Sequence, residues 1–179
     1  MSRIVVFTDI HFNVEEPNPN PNPVARLTNG LDHVVRHNAD AELVVITGDL
    51  AHNGDVASCE QLAGCLDGYD LRFRLMIGNH DNRENFQKTF PDARKDENGF
   101  VQFTETCGDR VLVFLDTLNA PPYDYPVYHI GYLCDQRLAW LDRVLTDAKG
   151  KRCVIFMHHP PHDTGFAAMD TLKLRNGPE

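Results

Sequence analysis

Positive charge is scarce in this 179-residue chain: 17 Lys and Arg stand against 26 Asp and Glu, a formal net charge of −9. Surfaces that grip polyphosphates or anionic lipids rely on clustered cations. Neither a nucleic-acid polymer nor a membrane is therefore an expected partner. Phosphate chemistry here would have to take its positive charge from a local source, and a bound metal is the obvious one. Cysteine is sparse too. Cys59, Cys65, Cys107, Cys134 and Cys153 form an odd, scattered set without a CxxC pair. That excludes a disulfide scaffold or a zinc finger and points to a reduced, cytoplasmic protein. No apolar run approaches the roughly 18 residues of a membrane span. The start, Met1-Ser2-Arg3-Ile4-Val5-Val6-Phe7-Thr8-Asp9, turns acidic too soon for a secretory signal.

What remains is an ordinary globular composition, with enough apolar residues to exclude intrinsic disorder. The length suggests a single domain, 1–179, that buries roughly 70% of its unfolded surface. Short β-branched runs predict buried strands at 3–8 and 43–47 and further strands at 72–77 and 152–157. Helical spacing predicts helices at 24–38, 55–66, 83–90 and 135–148, and a further helix after Asp170. Segments 100–106 and 110–115 flank Cys107-Gly108-Asp109 and read as a hairpin. The proline run at 15–23 can be neither helix nor sheet, and 117–130 is a Pro- and Tyr-rich loop. Strands that alternate with helices mean an α/β fold with mostly parallel pairing, plus one antiparallel hairpin.

Polar clusters follow four of the strands: Asp9-Ile10-His11, Gly48-Asp49, Gly78-Asn79-His80-Asp81 and His158-His159-Pro160-Pro161. Taken singly, each has an ordinary structural explanation as a turn cap, a hydrogen-bonded turn or a surface His pair. Taken together, they deliver Asp, His, Asp, Asn and His to the carboxyl ends of the strands, where open α/β sheets bind ligands. A mixed oxygen and nitrogen set suits Mn, Fe or Zn rather than a thiolate-loving ion.

The series Asp9-x-His11, Gly48-Asp49, Gly78-Asn79-His80-Asp81, His158-His159 resembles the calcineurin-like metallophosphoesterases. The stretch His158-His159-Pro160-Pro161, Thr164-Gly165, Met169-Asp170 is similar to class III cyclic-nucleotide phosphodiesterases and related glycerophosphodiesterases. The resemblance implies a four-layer α/β/β/α sandwich around a two-metal centre. Asp9 and His11 would bind the first metal, Asp49 would bridge both, and Asn79 and His158 would bind the second. His80 would face the substrate, oriented by Asp81. Asn79, His80 and His159 would contact the substrate, although successive strand residues face opposite ways, so only one of His158 and His159 can enter the site. The family's Gly-His-x-His motif, which gives each metal a further His, is not found in the 179 residues. Either the chain is a fragment or it is a natural truncation, with the later strands of the second sheet missing. Weak metal binding, little diesterase activity and self-association into a homo-oligomer are expected of it as it stands. Of the spare histidines (His33, His37, His52, His129, His159 and His162), only His162 lies near the rim by sequence.

The chemistry implied is hydrolysis of a small phosphodiester, a 3',5'-cyclic nucleotide or a glycerophosphodiester. Two divalent ions, Asp9, Asp49 and a bridging hydroxide would sum to about +1, a local cationic site in an acidic protein. Such metals acidify bound water toward a pKa of about 7. His80 can then give a proton to the departing alkoxide, with its tautomer fixed by the Asp81 carboxylate. The His52-Asn53-Gly54 loop and segment 117–130 are candidate walls of the substrate pocket. Two other readings stand beside this one: a non-catalytic or weakly metal-binding remnant of the fold, and a phosphomonoesterase.

Overall fold

In the computed structural model, residues 3–15, 22–119 and 129–177 are described. Most of the proline run and of the 117–130 loop therefore lies outside the described residues. Contacts divide the chain into two units, Met1–Leu75 with His80–Ala93, and Met76–Asn79 with Arg94–Glu179. Each is built on one three-stranded sheet.

In the first unit, β1 (Arg3–Phe7), β2 (Ala41–Ile46) and β3 (Phe73–Leu75) pair in parallel, in that order. Parallel neighbours need long crossovers, and helices α1 (Pro23–His37) and α2 (Val56–Leu66) supply them. The sequence starts each helix explicitly. Asn22 caps α1, its side-chain oxygen accepting from Val24 N–H at 2.9 Å, and Pro23, expected to lie in the non-helical proline run, is instead the first helical residue, where its missing N–H costs no bond. Asp55 caps α2 by accepting from Ser58 N–H at 2.7 Å, and Asn82 caps α3 (Arg83–Thr89) by accepting from Asn85 N–H. Leu27, Leu31 and Val34 form the buried stripe of α1, and Leu43, Val44, Val45 and Ile46 of the central strand β2 are all buried. Gly30 lets the helix approach β1 closely: a Cβ there would lie 2.6 Å from the Phe7 ring. The expectation of a buried first strand needs correction. β1 lies at the sheet edge, and Val6 is half exposed.

In the second unit, β4 (Phe103–Cys107) and β5 (Arg110–Leu115) form the expected hairpin, and β6 (Arg152–Met157) joins β5 in parallel through the crossover helix α4 (Asp135–Asp147). Trp140 of α4 packs with Val113, Leu115, Leu133 and Leu174 as the core. Below them Arg137 is buried against Asp116, donating to the Asp116 and Leu118 carbonyl oxygens. The helix expected after Asp170 comes earlier, as the single turn α5 (Ala167–Asp170), and residues 171–177 are turns. Asp170 closes that turn on itself, accepting from the N–H and hydroxyl of Thr164. All strands but one lie within two residues of their expected bounds; β4 starts three residues late and β3 is trimmed at its far end.

Candidate metal centre

The carboxyl ends of β1 and β2 do not simply stop. Their backbones continue side by side, with Asp9 N–H on the Gly48 carbonyl at 3.2 Å, His11 N–H on Asp49 at 2.9 Å and Phe12 N–H on Leu50 at 2.8 Å. Along this irregular ladder the chain passes through left-handed conformations at Asp9 (φ 55°), His11 (φ 50°) and Asp49 (φ 51°). Among the described residues these are the non-glycine positions with positive φ. Such conformations are uncommon outside glycine, cost free energy, and collect at functional sites where surrounding bonds hold them in place. Here they are three of the residues expected to bind metal. One ligand atom from each lies within 4.8 Å of the other two.

His11 Nε2 is 3.6 Å from an Asp49 carboxylate oxygen and 3.8 Å from one of Asp9. Donors held about 2.0–2.2 Å from one ion stand roughly 3–3.6 Å apart, so the two separations from His11 suit a shared small divalent cation within a few tenths of an ångström. Burial pushes the His11 imidazole down from its ordinary value, with the positive side of His80 and His52 acting the same way and Asp49 and Asp9 opposing. The neutral ring, the form that binds metal, is thereby favoured. Asp49 is buried at 3% exposure and also accepts from the His80 backbone N–H at 3.0 Å.

His80 sits on the turn after β3, its ring 4.7 Å from that of His11. The partner of its Nδ1 is the His52 carbonyl oxygen at 2.7 Å. A carbonyl only accepts, so Nδ1 carries the proton. Asp81 had been expected to fix this tautomer. Its carboxylate is instead 1% exposed and accepts from the backbone N–H groups of Leu50 and Ala51 at 2.9–3.1 Å. It pins the segment that carries Asp49. Gly54 (φ 62°) makes room for the turn, since a Cβ there would lie 2.8 Å from the His80 carbonyl oxygen.

The second unit holds the other expected ligands. Asn79 Oδ1 is 3.1 Å from His158 Nε2, again the separation of two donors on one ion. The Asn79 amide nitrogen is 2.7 Å from His129 Nδ1. That ring nitrogen must accept, which commits the amide oxygen to the His158 side. His159, expected to contact the substrate, lies in the interior. It is 2% exposed, Thr117 Oγ1 meets its Nδ1 at 2.7 Å, and Gly131 packs against its ring so closely that a Cβ would fall 2.4 Å away. Burial, with His158 beside it, pushes its pKa down to about 3. His162, His33 and His37 are exposed.

Two residues take places that the sequence reading did not assign them. His52, expected only within a candidate pocket wall, touches His11 and His80. His129 lay inside a segment read as a loop wall and gave no signal of its own. The cysteines stay out of the site: all five are free, and burial with Asp81 nearby pushes Cys59 up to about 12. Among the described residues no helix is long and apolar enough to cross a membrane.

The sequence profile described as Calcineurin-like phosphoesterase matches residues 2–179. A Rhodopseudomonas palustris protein named a probable cyclic nucleotide phosphodiesterase is 40% identical over 176 residues, covering 97% of this chain and 63% of its own length. A glycerophosphodiester phosphodiesterase of Enterobacter lignolyticus is 31% identical over 80% of this chain and 50% of its own. The 3',5'-cyclic adenosine monophosphate phosphodiesterase of Escherichia coli K12 is 28% identical over 83% and 51% respectively. The chain thus spans half to two thirds of the length of these relatives. Its fold matches that of a purple acid phosphatase from yellow lupin, with a TM-score of 0.62 and 14% identity, over 99% of this chain and 34% of the other.

Proposed function

The chain belongs to the calcineurin-like phosphoesterase family, and on that premise we propose that it hydrolyses a small phosphodiester, a 3',5'-cyclic nucleotide or a glycerophosphodiester, with residues 1–179 acting as one metallophosphoesterase domain. The observation that carries the reading is the coincidence of left-handed backbone with candidate ligands at Asp9, His11 and Asp49. The names of the relatives support the choice of diester.

Members of this family use two divalent metal ions. Asp9, His11 and Asp49 would hold one, and Asn79 and His158 the other; their oxygen and nitrogen donors favour Mn, Fe or Zn. When bound, the metals supply Lewis acidity and an acidified water as nucleophile. The residues of the chain do the rest. Asp49 serves as ligand and also fixes the His80 backbone through its N–H. His129 keeps the Asn79 amide oxygen on the ligand side. His80, its Nδ1–H committed to the His52 carbonyl, presents Nε2. When the P–O bond breaks, its electron pair stays on the leaving oxygen, and protonated Nε2 gives that oxygen its proton. The five free cysteines support a cytoplasmic location.

The test compares leaving groups, using Mn-loaded protein with bis(p-nitrophenyl) phosphate and with 3',5'-cyclic AMP. His80→Ala is expected to lose about 10²–10⁴-fold on the cyclic nucleotide and far less on the aryl ester, whose leaving group needs no proton. Equal losses on the two substrates, or turnover indifferent to a chelator, would refute the reading.

A further inference from the structure

His52 meets both candidate functional histidines of the first unit. Its ring Nδ1 lies 3.4 Å from His11 Nδ1, and its carbonyl oxygen lies 2.7 Å from His80 Nδ1. The His52 ring also stacks on that of His80, with centroids 5.0 Å apart and planes 23° from parallel.

The protons on these rings follow from the partners. The carbonyl only accepts, so His80 is protonated at Nδ1. Where two Nδ1 atoms meet, one must donate and the other accept. His11 Nε2 faces the Asp9 and Asp49 carboxylates. As a metal ligand it must offer a lone pair there. A neutral imidazole carries one proton, so His11 holds it on Nδ1 and His52 Nδ1 accepts it. Ligating histidines commonly use their second nitrogen in this way, and such partners set ring orientation and metal affinity.

We propose that His52 is a positioning residue for two functional histidines at once, its ring holding the His11 ring in place through Nδ1 and its backbone carbonyl setting the tautomer of His80. The inference rests on the metal-site reading above. It also makes the two roles separable, because a substitution removes the ring and leaves the carbonyl. His52 is exposed, so its replacement does not open a core.

The experiment uses the 179-residue chain as parent, His52→Ala and His52→Asn. Histidine tautomers are read from long-range proton–nitrogen spectra of the metal-free proteins, and Mn binding by equilibrium dialysis. In His52→Ala, Mn affinity should fall about 10–100-fold while His80 keeps its Nδ1–H. Asparagine places an oxygen where the imidazole has Nδ1, so His52→Asn should recover most of the affinity. The proposal is overturned if His52→Ala binds Mn as tightly as the parent, if His80 loses Nδ1–H in that variant, or if Asn restores no more than Ala. A parent chain that binds no Mn would instead refute the metal-site reading, and the His80 tautomer in the metal-free spectra would still decide the role of the His52 carbonyl.

Discussion

Replacing Asp81 by alanine removes an acceptor that nothing else can supply. Its carboxylate takes the N–H of Leu50 at 3.0 and 3.1 Å and that of Ala51 at 2.9 Å. Leu50 and Ala51 are both fully buried, so water cannot substitute. Hydrogen bonds to a charged group contribute about 1.5–3 kcal/mol each. Losing two should therefore cost about 3–6 kcal/mol, a large share of the 5–15 kcal/mol or so by which domains are stable. Asp81→Asn keeps one oxygen but turns an amide N–H₂ toward a backbone N–H, so about half of that loss is expected. Urea unfolding followed by far-UV circular dichroism measures both, as a lower midpoint at unchanged slope. The pinned residues directly follow Asp49, so metal affinity in the folded protein should fall as well. If Asp81→Ala unfolds within about 0.5 kcal/mol of the parent, the range of a neutral surface substitution, the pinning role is wrong. Lost turnover with intact stability would return Asp81 to the orienting role first expected of it.

Two further outcomes follow from the buried histidine of the second unit. Burial holds the folded-state pKa of His159 near 3, below its unfolded value of about 6.5. Its contribution to stability is thus complete above pH 6.5 and is lost as pH falls from there toward 3, at up to about 1.4 kcal/mol per pH unit. Urea midpoints between pH 7 and 5 should fall in the parent and stay flatter in His159→Gln; parallel slopes would contradict this. Gly131→Ala would drive a methyl group to within 2.4 Å of the same ring and should destabilise by about 1–3 kcal/mol, the usual range for overpacking. A thermal midpoint equal to that of the parent would show that the ring moves aside freely.

The alternation of β-branched runs with amphipathic segments was enough to read the strand and helix order, because each run is followed by a strong signal. Asn22-Pro23, Asp55 and Asn82 start helices, and Gly108 with Gly150 punctuates the second unit. The candidate ligands were equally legible, since Asp9-x-His11 and Gly48-Asp49 sit where parallel strands end. Partnerships were not. Whether Asp81 serves a neighbouring ring or a backbone thirty residues away depends on loop path, which period and composition do not encode. The same holds for His52 and His129, which look like any loop histidine until the fold brings them to His11 and Asn79. The exposure of β1 was misread for a different reason: a β-branched run looks the same in a central strand and at an edge.

Everything proposed for this chain depends on Asp9, His11 and Asp49 holding a metal. Equilibrium dialysis against Mn, comparing the parent with Asp49→Ala at matched folded fraction, tests that most directly. The account predicts saturable binding in the parent and a loss of at least 10–100-fold in affinity in the variant, since removing even a partner that only orients a ligand costs that much. Equal Mn binding by the two proteins would contradict it.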